Sequence, residues 1–199
     1  LIENTIRSLS QKGLTVYQNI GDILSFIALG DVGYVLPYIG MEQESIKYLG
    51  LAVMKNSKLQ DIIKLKECRG YLFLMGEDVQ FTQVVKSFED PANRYSLRLS
   101  VEEKEINTDY IDGRIEINVN LKVKSYLQYE YYPESIDVKK INILENELSA
   151  TVRQCIYDIF NDSTKKWEND IFQFVKYFRA DHPKLYKKID WQEEYPESR

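Results

Sequence analysis

Residues 50–76 read GLAVMKNSKLQDIIKLKECRGYLFLMG, and this stretch decides the fold class. Residues 47–55 and 58–65 are apolar and β-favouring, and they flank a two-residue polar break at Asn56-Ser57. Turn residues between two such runs predict a hairpin. Glu67-Cys68-Arg69-Gly70 follows, and then an apolar run that Gly76 stops. A glycine just past an apolar run is a frequent helix end. The unit is strand–turn–strand–helix.

Downstream the pattern stays β. Residues 81–88 make a candidate strand, and Glu89-Asp90-Pro91-Ala92-Asn93 is a loop with strong turn chemistry. Tyr95, Leu97, Leu99 and Val101 alternate with polar residues, which is strand periodicity. Asp112-Gly113 marks a tight turn. Beyond it Ile115, Ile117, Val119, Leu121 and Val123 point one way, while Glu116, Asn118, Asn120, Lys122 and Lys124 point the other. The same parity resumes at Leu127, Tyr129 and Tyr131, until Pro133 ends the run. One wet face and one covered face predict an antiparallel sheet.

Two helices are expected to finish the chain. Ile141, Leu144, Leu148, Val152, Cys155 and Ile159 step by three or four residues, an amphipathic helix. Asn161-Asp162-Ser163 reads as a break with capping residues. Trp167, Ile171, Phe174 and Phe178 form a second stripe, which ends at Asp181-His182-Pro183.

Upstream of the hairpin, Ile2, Ile6 and Leu9 form a helical stripe closed by Gly13, and residues 14–17 are extended. A second helix over 20–29 has Ile20, Ile23, Leu24, Ile27 and Ala28 on one face. Gly30, Asp31 and Gly33 break it, and residues 34–41 are extended around Pro37. Residues 42–44 form a polar joint, which divides the chain into a preceding mixed region, 1–44, and a C-terminal α+β domain, 45–199. The expected architecture is α+β: a twisted, mostly antiparallel sheet packed by long C-terminal helices, preceded by part of a smaller helical region.

With 199 residues, 44% of them hydrophobic and 29% charged, the chain can bury a proper core. A net charge of −5 gives no counterion-release advantage on nucleic acid, so DNA and RNA are not expected partners. There is no run apolar and long enough for a transmembrane helix, no signal peptide and no lipobox. The chain begins at Leu1, which reads as a fragment. Cys68 and Cys155 do not make a disulfide framework.

Catalytic machinery is absent from the pattern. His182 is the single histidine, placed before a proline at a helix break, and reads as a cap or surface residue. Residues 109–113 lack the alternating acids and distal glutamate of a calcium loop. Glu102, Glu103 and Glu105 around Lys104 read as a solvated strand end. No phosphate-binding glycine loop or nucleophile elbow occurs. Neither a catalytic residue, a metal ligand nor a cofactor is assigned.

The ordered set Gly-Leu-Ala-Val-Met from Gly50, a lysine-bearing turn, and Glu67-Cys68-Arg69-Gly70 with an apolar tail resembles the Ger(x)C family. Those proteins are the lipoprotein C subunits of the nutrient germinant receptors of spore-forming bacteria. Asp170, Ile171, Phe172, Phe174, Arg179, Pro183 and Trp191 are similar to the family's closing pattern. The chain departs from it at Val175, where the family has a nearby glycine, at Tyr186, where it has tryptophan, and near Lys165 and Lys166, where it has glutamine. The resemblance covers residues 46–199 well. It implies a non-enzymatic extracytoplasmic domain acting in germination, held on the outer surface of the spore inner membrane by an N-terminal lipid anchor outside this chain. The implied partners are the membrane A and B subunits of the receptor.

Within that frame the motif residues Gly50, Glu67, Arg69, Gly70, Asp170 and Trp191 read chiefly as structural. Glu67 suits a helix N-terminus, Arg69 a tie to a neighbouring strand, and Gly70 close packing on the sheet. Asp170 suits a cap or a buried pair, and Trp191 a core plug. The alternative is a nutrient-binding sensor domain in which the Arg69 fork holds a ligand carboxylate. The 15 tyrosines include Tyr126 on the wet face of the long strand, with Tyr110 and Tyr132 near its two ends. Together these three make a candidate partner surface, because tyrosine has an apolar body and a polar tip.

Overall fold

Asn56 and Ser57 both take positive φ, 49° and 61°, the geometry that lets a two-residue turn match the twist of its strands. They close β2 (Ser45–Lys55) onto β3 (Lys58–Lys64), while β1 (Tyr34–Glu42) pairs antiparallel along the other side of β2. Asp112 and Gly113, with φ of 53° and 76°, do the same between β5 (Arg94–Ile111) and β6 (Arg114–Glu130). The short β4 (Gln80–Lys86) pairs with the first part of β5. The computed structural model describes residues 2–199 apart from Asp31, Glu44, residues 77–78 and 88–89, Pro91 and Glu134. The parts of the sequence reading that rest on Leu1, Asp31, Glu44, Phe88, Glu89 and Pro91 lie outside the described residues.

The architecture is α+β, with two three-stranded antiparallel sheets, β1-β2-β3 and β4-β5-β6, where the pattern predicts one. The separation occurs at α3 (Cys68–Met75), which carries the chain off β3 before β4 begins. Tyr71, Leu72, Phe73 and Leu74 are all buried, so α3 presents almost no outer face. Of the expected polar joint, Glu42 ends β1 and pairs with Ser45 at the start of β2. Gly50 sits in β2 with φ 148°, and a β-carbon there would lie 2.1 Å from the Ile63 carbonyl oxygen. Both constraints select glycine. The β1–β2 register shifts next to it, between Tyr38 and Ile39.

The long helix α4 (Val138–Asn161) starts at Asp137, whose side chain accepts from the Lys140 amide at 2.8 Å. Its stripe does not lie flat on the long strands. Leu148, Val152 and Ile159 are buried, but the helix packs on α3 and stands off from β6. Ile115 is fully buried, while Ile117, Val119, Leu121 and Val123 are half-buried along an open groove of about 1170 Å³ between β6 and α4. Past Val123 the covered face ends. Leu127, Tyr129 and Tyr131 are exposed, and a register shift between Leu127 and Tyr129 pairs them with the consecutive residues Leu97 and Ser96, which puts Leu127 and Tyr129 on opposite faces although their spacing predicts one. Period-2 alternation assigns faces only as far as the strand stays free of bulges, and it says nothing of how far a helix reaches along them.

Three further expectations change. Asn161-Asp162-Ser163 does not break the helix. It continues into a π turn over Asp162–Lys166, and Ser163 is buried. Trp167 and Ile171 are buried but not helical, because α5 spans only Phe174–Asp181 after Glu168 and Gln173 take positive φ. The acidic cluster Glu102–Glu105 lies inside β5 at a bulge, where Glu102 and Glu103 face Lys122 and Lys124 across the ladder. At the other end, α1 (Ile2–Gln11) buries nothing, and α2 (Ile20–Leu29) buries Phe26 and leaves Ile20, Leu24 and Ile27 exposed.

Candidate functional site

Helix α3 is fastened at its first turn. Glu67 occupies the cap position without a side-chain capping bond, and its amide donates to the Lys64 carbonyl at 2.8 Å. The Arg69 fork reaches β4, where it donates to the Thr82 carbonyl at 2.7 Å and to the Gln83 side-chain oxygen. One guanidinium thereby ties helix to strand. Gly70 faces α4, not a sheet: a β-carbon there would meet the Cys155 carbonyl oxygen at 2.0 Å. Cys68 is buried, and its thiol points at the Ile63 and Lys64 carbonyls. Burial pushes that thiol up to about 11, and both Cys68 and Cys155 are free.

The loop between the π turn and α5 gathers the second group. Asp170 is buried and accepts from the backbone amides of Phe174 at 3.1 Å and Val175 at 2.9 Å, which caps α5 from outside its first turn. Loss of water raises its carboxyl to about 6, against the pull of those amides. The buried Trp191 indole N–H faces this carboxylate without reaching hydrogen-bond geometry, and it exerts the weakest of the pulls. The Trp191 ring packs on Phe178 at 5.4 Å and Tyr195 at 5.7 Å. Beside them Asn169 donates to the Met54 carbonyl and the Gln60 side chain, so the loop is sewn to β2 and β3. Asp61 on β3 accepts from the Trp167 indole at 2.8 Å and Lys166 at 2.7 Å, and these bonds hold its carboxyl down at about 2.

Chemistry is sparse around these groups. The His182 ring meets the Thr108 carbonyl at 2.9 Å, while Asp181 accepts from the Thr108 amide and hydroxyl at 3.1 and 2.7 Å. The helix break is thereby pinned to β5. Among the described residues no group of three metal-binding side chains comes together.

The three tyrosines do not form one surface. Tyr110 is half-buried and packs edge-on against Phe178, 6.3 Å between centroids, inside the molecule's packed side. Strand β6 has 17 residues, which at about 3.4 Å each separates the Tyr110 end from Tyr132 by roughly 55–60 Å. Tyr126 and Tyr132 lie at the far end and are 52% and 53% exposed. Lys124 sits over the Tyr126 ring, and Tyr131 meets Tyr132 edge to face at 4.8 Å. The Tyr132 backbone is held on both sides by the Asn93 amide group, at 2.9 Å each way. Leu127, Tyr129 and Tyr131 are exposed with them, so this end of the long hairpin is an aromatic patch on a fixed backbone.

The family described as "Spore germination B3/ GerAC like, C-terminal" matches residues 49–199. The chain belongs to that family. The match covers α3, the Asp170 loop and the aromatic end of β6, and it makes the chain a spore-germination domain of the germinant-receptor C-subunit kind. Its fold is similar to that of a solved structure titled "Crystal Structure of the GerBC protein", with a TM-score of 0.74 at 17% identity. That alignment covers 94% of this chain and 61% of the GerBC chain, so the chain spans less than two thirds of its structural relative. A search of curated proteins returns no match.

For this GerAC-like domain, sequence reasoning missed the Asp61–Lys166–Trp167 cluster and the exposed run from Leu127 to Tyr131. The first joins residues more than a hundred positions apart and leaves no local pattern. The second carried a detectable signal. A strand whose apolar parity continues past a serine and ends in consecutive tyrosines is outrunning the core.

Proposed function

We propose that the chain is the non-enzymatic extracytoplasmic part of a germinant-receptor C subunit, and that it works through assembly with the receptor's membrane A and B subunits in nutrient-triggered germination. The observation that carries this reading is the aromatic end of the β5–β6 hairpin. Tyr126, Tyr129, Tyr131 and Tyr132 are exposed together on backbone that is already ordered. Large amphipathic rings presented on a rigid scaffold suit an interface core, since little conformational freedom is lost on contact. The partner surface is therefore Tyr126 and Tyr132 with their neighbours, and Tyr110 serves the fold.

Further support comes from how the remaining motif residues are occupied. Arg69 spends its fork on β4, Asp170 its oxygens on α5, and Gly50 and Gly70 are sites of close backbone approach. Among the described residues no helix is long and apolar enough to cross a membrane. In this reading a lipid anchor on the full-length protein holds it at the outer surface of the spore inner membrane. The test is co-purification of full-length protein with the A and B subunits in mild detergent. A stable complex with either is expected. Full-length protein that emerges alone, with both subunits folded and present, would refute the reading.

A further inference from the structure

The groove between β6 and α4 has a feature that separates it from a plain apolar cleft. One of its walls is a sheet edge. In the order β4-β5-β6 the outer side of β6 faces no strand among the described residues. Within a strand the N–H and C=O of one residue point to the same side, and alternate residues point oppositely. The Ile117 amide donates outward to the Arg199 carbonyl at 2.9 Å, and the Arg199 amide donates to the Ile115 carbonyl at 3.1 Å. Main chain has thus already been added to the near end of this edge. By the same alternation Val119, Leu121 and Val123 present their backbone groups outward, and among the described residues nothing accepts or donates there. Their side chains line the groove opposite Val152 and Ile156 of α4.

We propose that the edge of β6 from Val119 to Val123 takes an extended strand from a partner polypeptide, with alternate apolar side chains seated against α4 and acidic residues at its flanks. The backbone supplies hydrogen bonds that any sequence can make, and the groove supplies the choice of side chains. Two observations select the occupant. The residue seated on this edge, Arg199, pairs through its own N–H and C=O with Ile115 and Ile117 while its guanidinium holds Glu116, so the edge accepts main chain. The groove also departs from the acidic character of the whole chain. Arg114 on the β6 wall and Arg153 on the α4 wall line it, both exposed and without an ion-pair partner among the described residues, against the unpaired carboxylate Glu145, so the unpaired charge of the lining is cationic on balance. Unpaired cations on both walls favour carboxylates at the ends of the incoming strand and disfavour lysines there.

This inference rests on the reading of the domain as a partner-binding module, but its test needs no membrane subunit. The probe is a fluorescent peptide, Asp-Val-Thr-Val-Thr-Val-Asp, titrated into the full-length protein. Three comparison peptides accompany it: a Lys-flanked version, one N-methylated at alternate amides, and a scrambled one. Saturable binding of the acidic peptide is expected, weaker by about tenfold for the Lys-flanked version and lost on N-methylation. Arg153→Glu, an exposed change, is expected to keep the melting temperature and reverse the flank preference. The proposal is overturned by equal binding of the scrambled peptide or by no saturable binding. It is also overturned by slow exchange of the Val119, Leu121 and Val123 amides in the free protein, which would show the edge already covered. A failed co-purification with membrane subunits would leave these results unaffected.

Discussion

A β-carbon on Gly70 would lie 2.0 Å from the carbonyl oxygen of Cys155, so α3 and α4 cross with backbone against backbone. The long helix is therefore seated by an absent side chain, and its relation to β6 follows from that crossing.

Gly70→Ala is the sharpest test of the crossing. The obstacle is main chain and cannot rotate away, so the helices must separate, at a cost of about 1–3 kcal/mol or more. Chemical denaturation of the variant measures it. Wild-type stability in Gly70→Ala would mean that the two helices are not held this closely.

Arg69→Ala should lower stability by about 1–3 kcal/mol, since it leaves the Thr82 carbonyl and Gln83 without their charged donor. Arg69→Lys should recover only part of the loss, because one ammonium cannot span both acceptors. The thermal midpoint without any added ligand reports this. A variant of unchanged stability that fails to bind a nutrient carboxylate would favour the sensor alternative.

Asp170 gives a pH signature of definite sign. Its carboxyl is raised from near 3.8 to about 6 in the folded protein, so the folded state holds a proton that the unfolded state has released. Its contribution is greatest below pH 4 and falls as pH rises to 6, a change of about 2–3 kcal/mol. Asp61 behaves oppositely. Its carboxyl is held at about 2, so its contribution is present above pH 4 and is lost as pH falls through 2. Urea unfolding between pH 4 and 7 should give a flatter profile for Asp170→Asn than for wild type. Parallel profiles would place the Asp170 carboxyl in water.

The graded cover of β6 predicts a graded cost. Ile115→Ala, at a fully buried position, should cost about 2–5 kcal/mol, and Leu121→Ala, on the groove, clearly less. Equal losses would show the groove closed in solution.

The hairpins were legible because their signals are local: Asn56-Ser57 and Asp112-Gly113 stand between alternating runs. Asp170, Trp191 and Gly70 were recognisable as structural types, yet their partners were not. The partner of Gly70 is a carbonyl 85 positions away on a helix, where the pattern suggested a sheet. Trp167 and Ile171 have helical spacing and are buried without being helical, because core burial and helix geometry are separate demands that the same spacing can satisfy. The split into two sheets was invisible for a related reason. Alternation reports faces, and pairing partners are chosen by contacts distant in sequence.

The central claim is that this domain acts by surface contact through the aromatic end of β6. The most direct measurement is capture of the A and B subunits by full-length protein carrying Tyr126→Ser and Tyr132→Ser, beside wild type, with the melting temperature recorded for both. The account predicts a melting temperature within a few degrees of wild type, as exposed positions allow, and capture reduced by about tenfold or more, as loss of hot-spot rings implies. Unchanged capture by the folded double variant would contradict it.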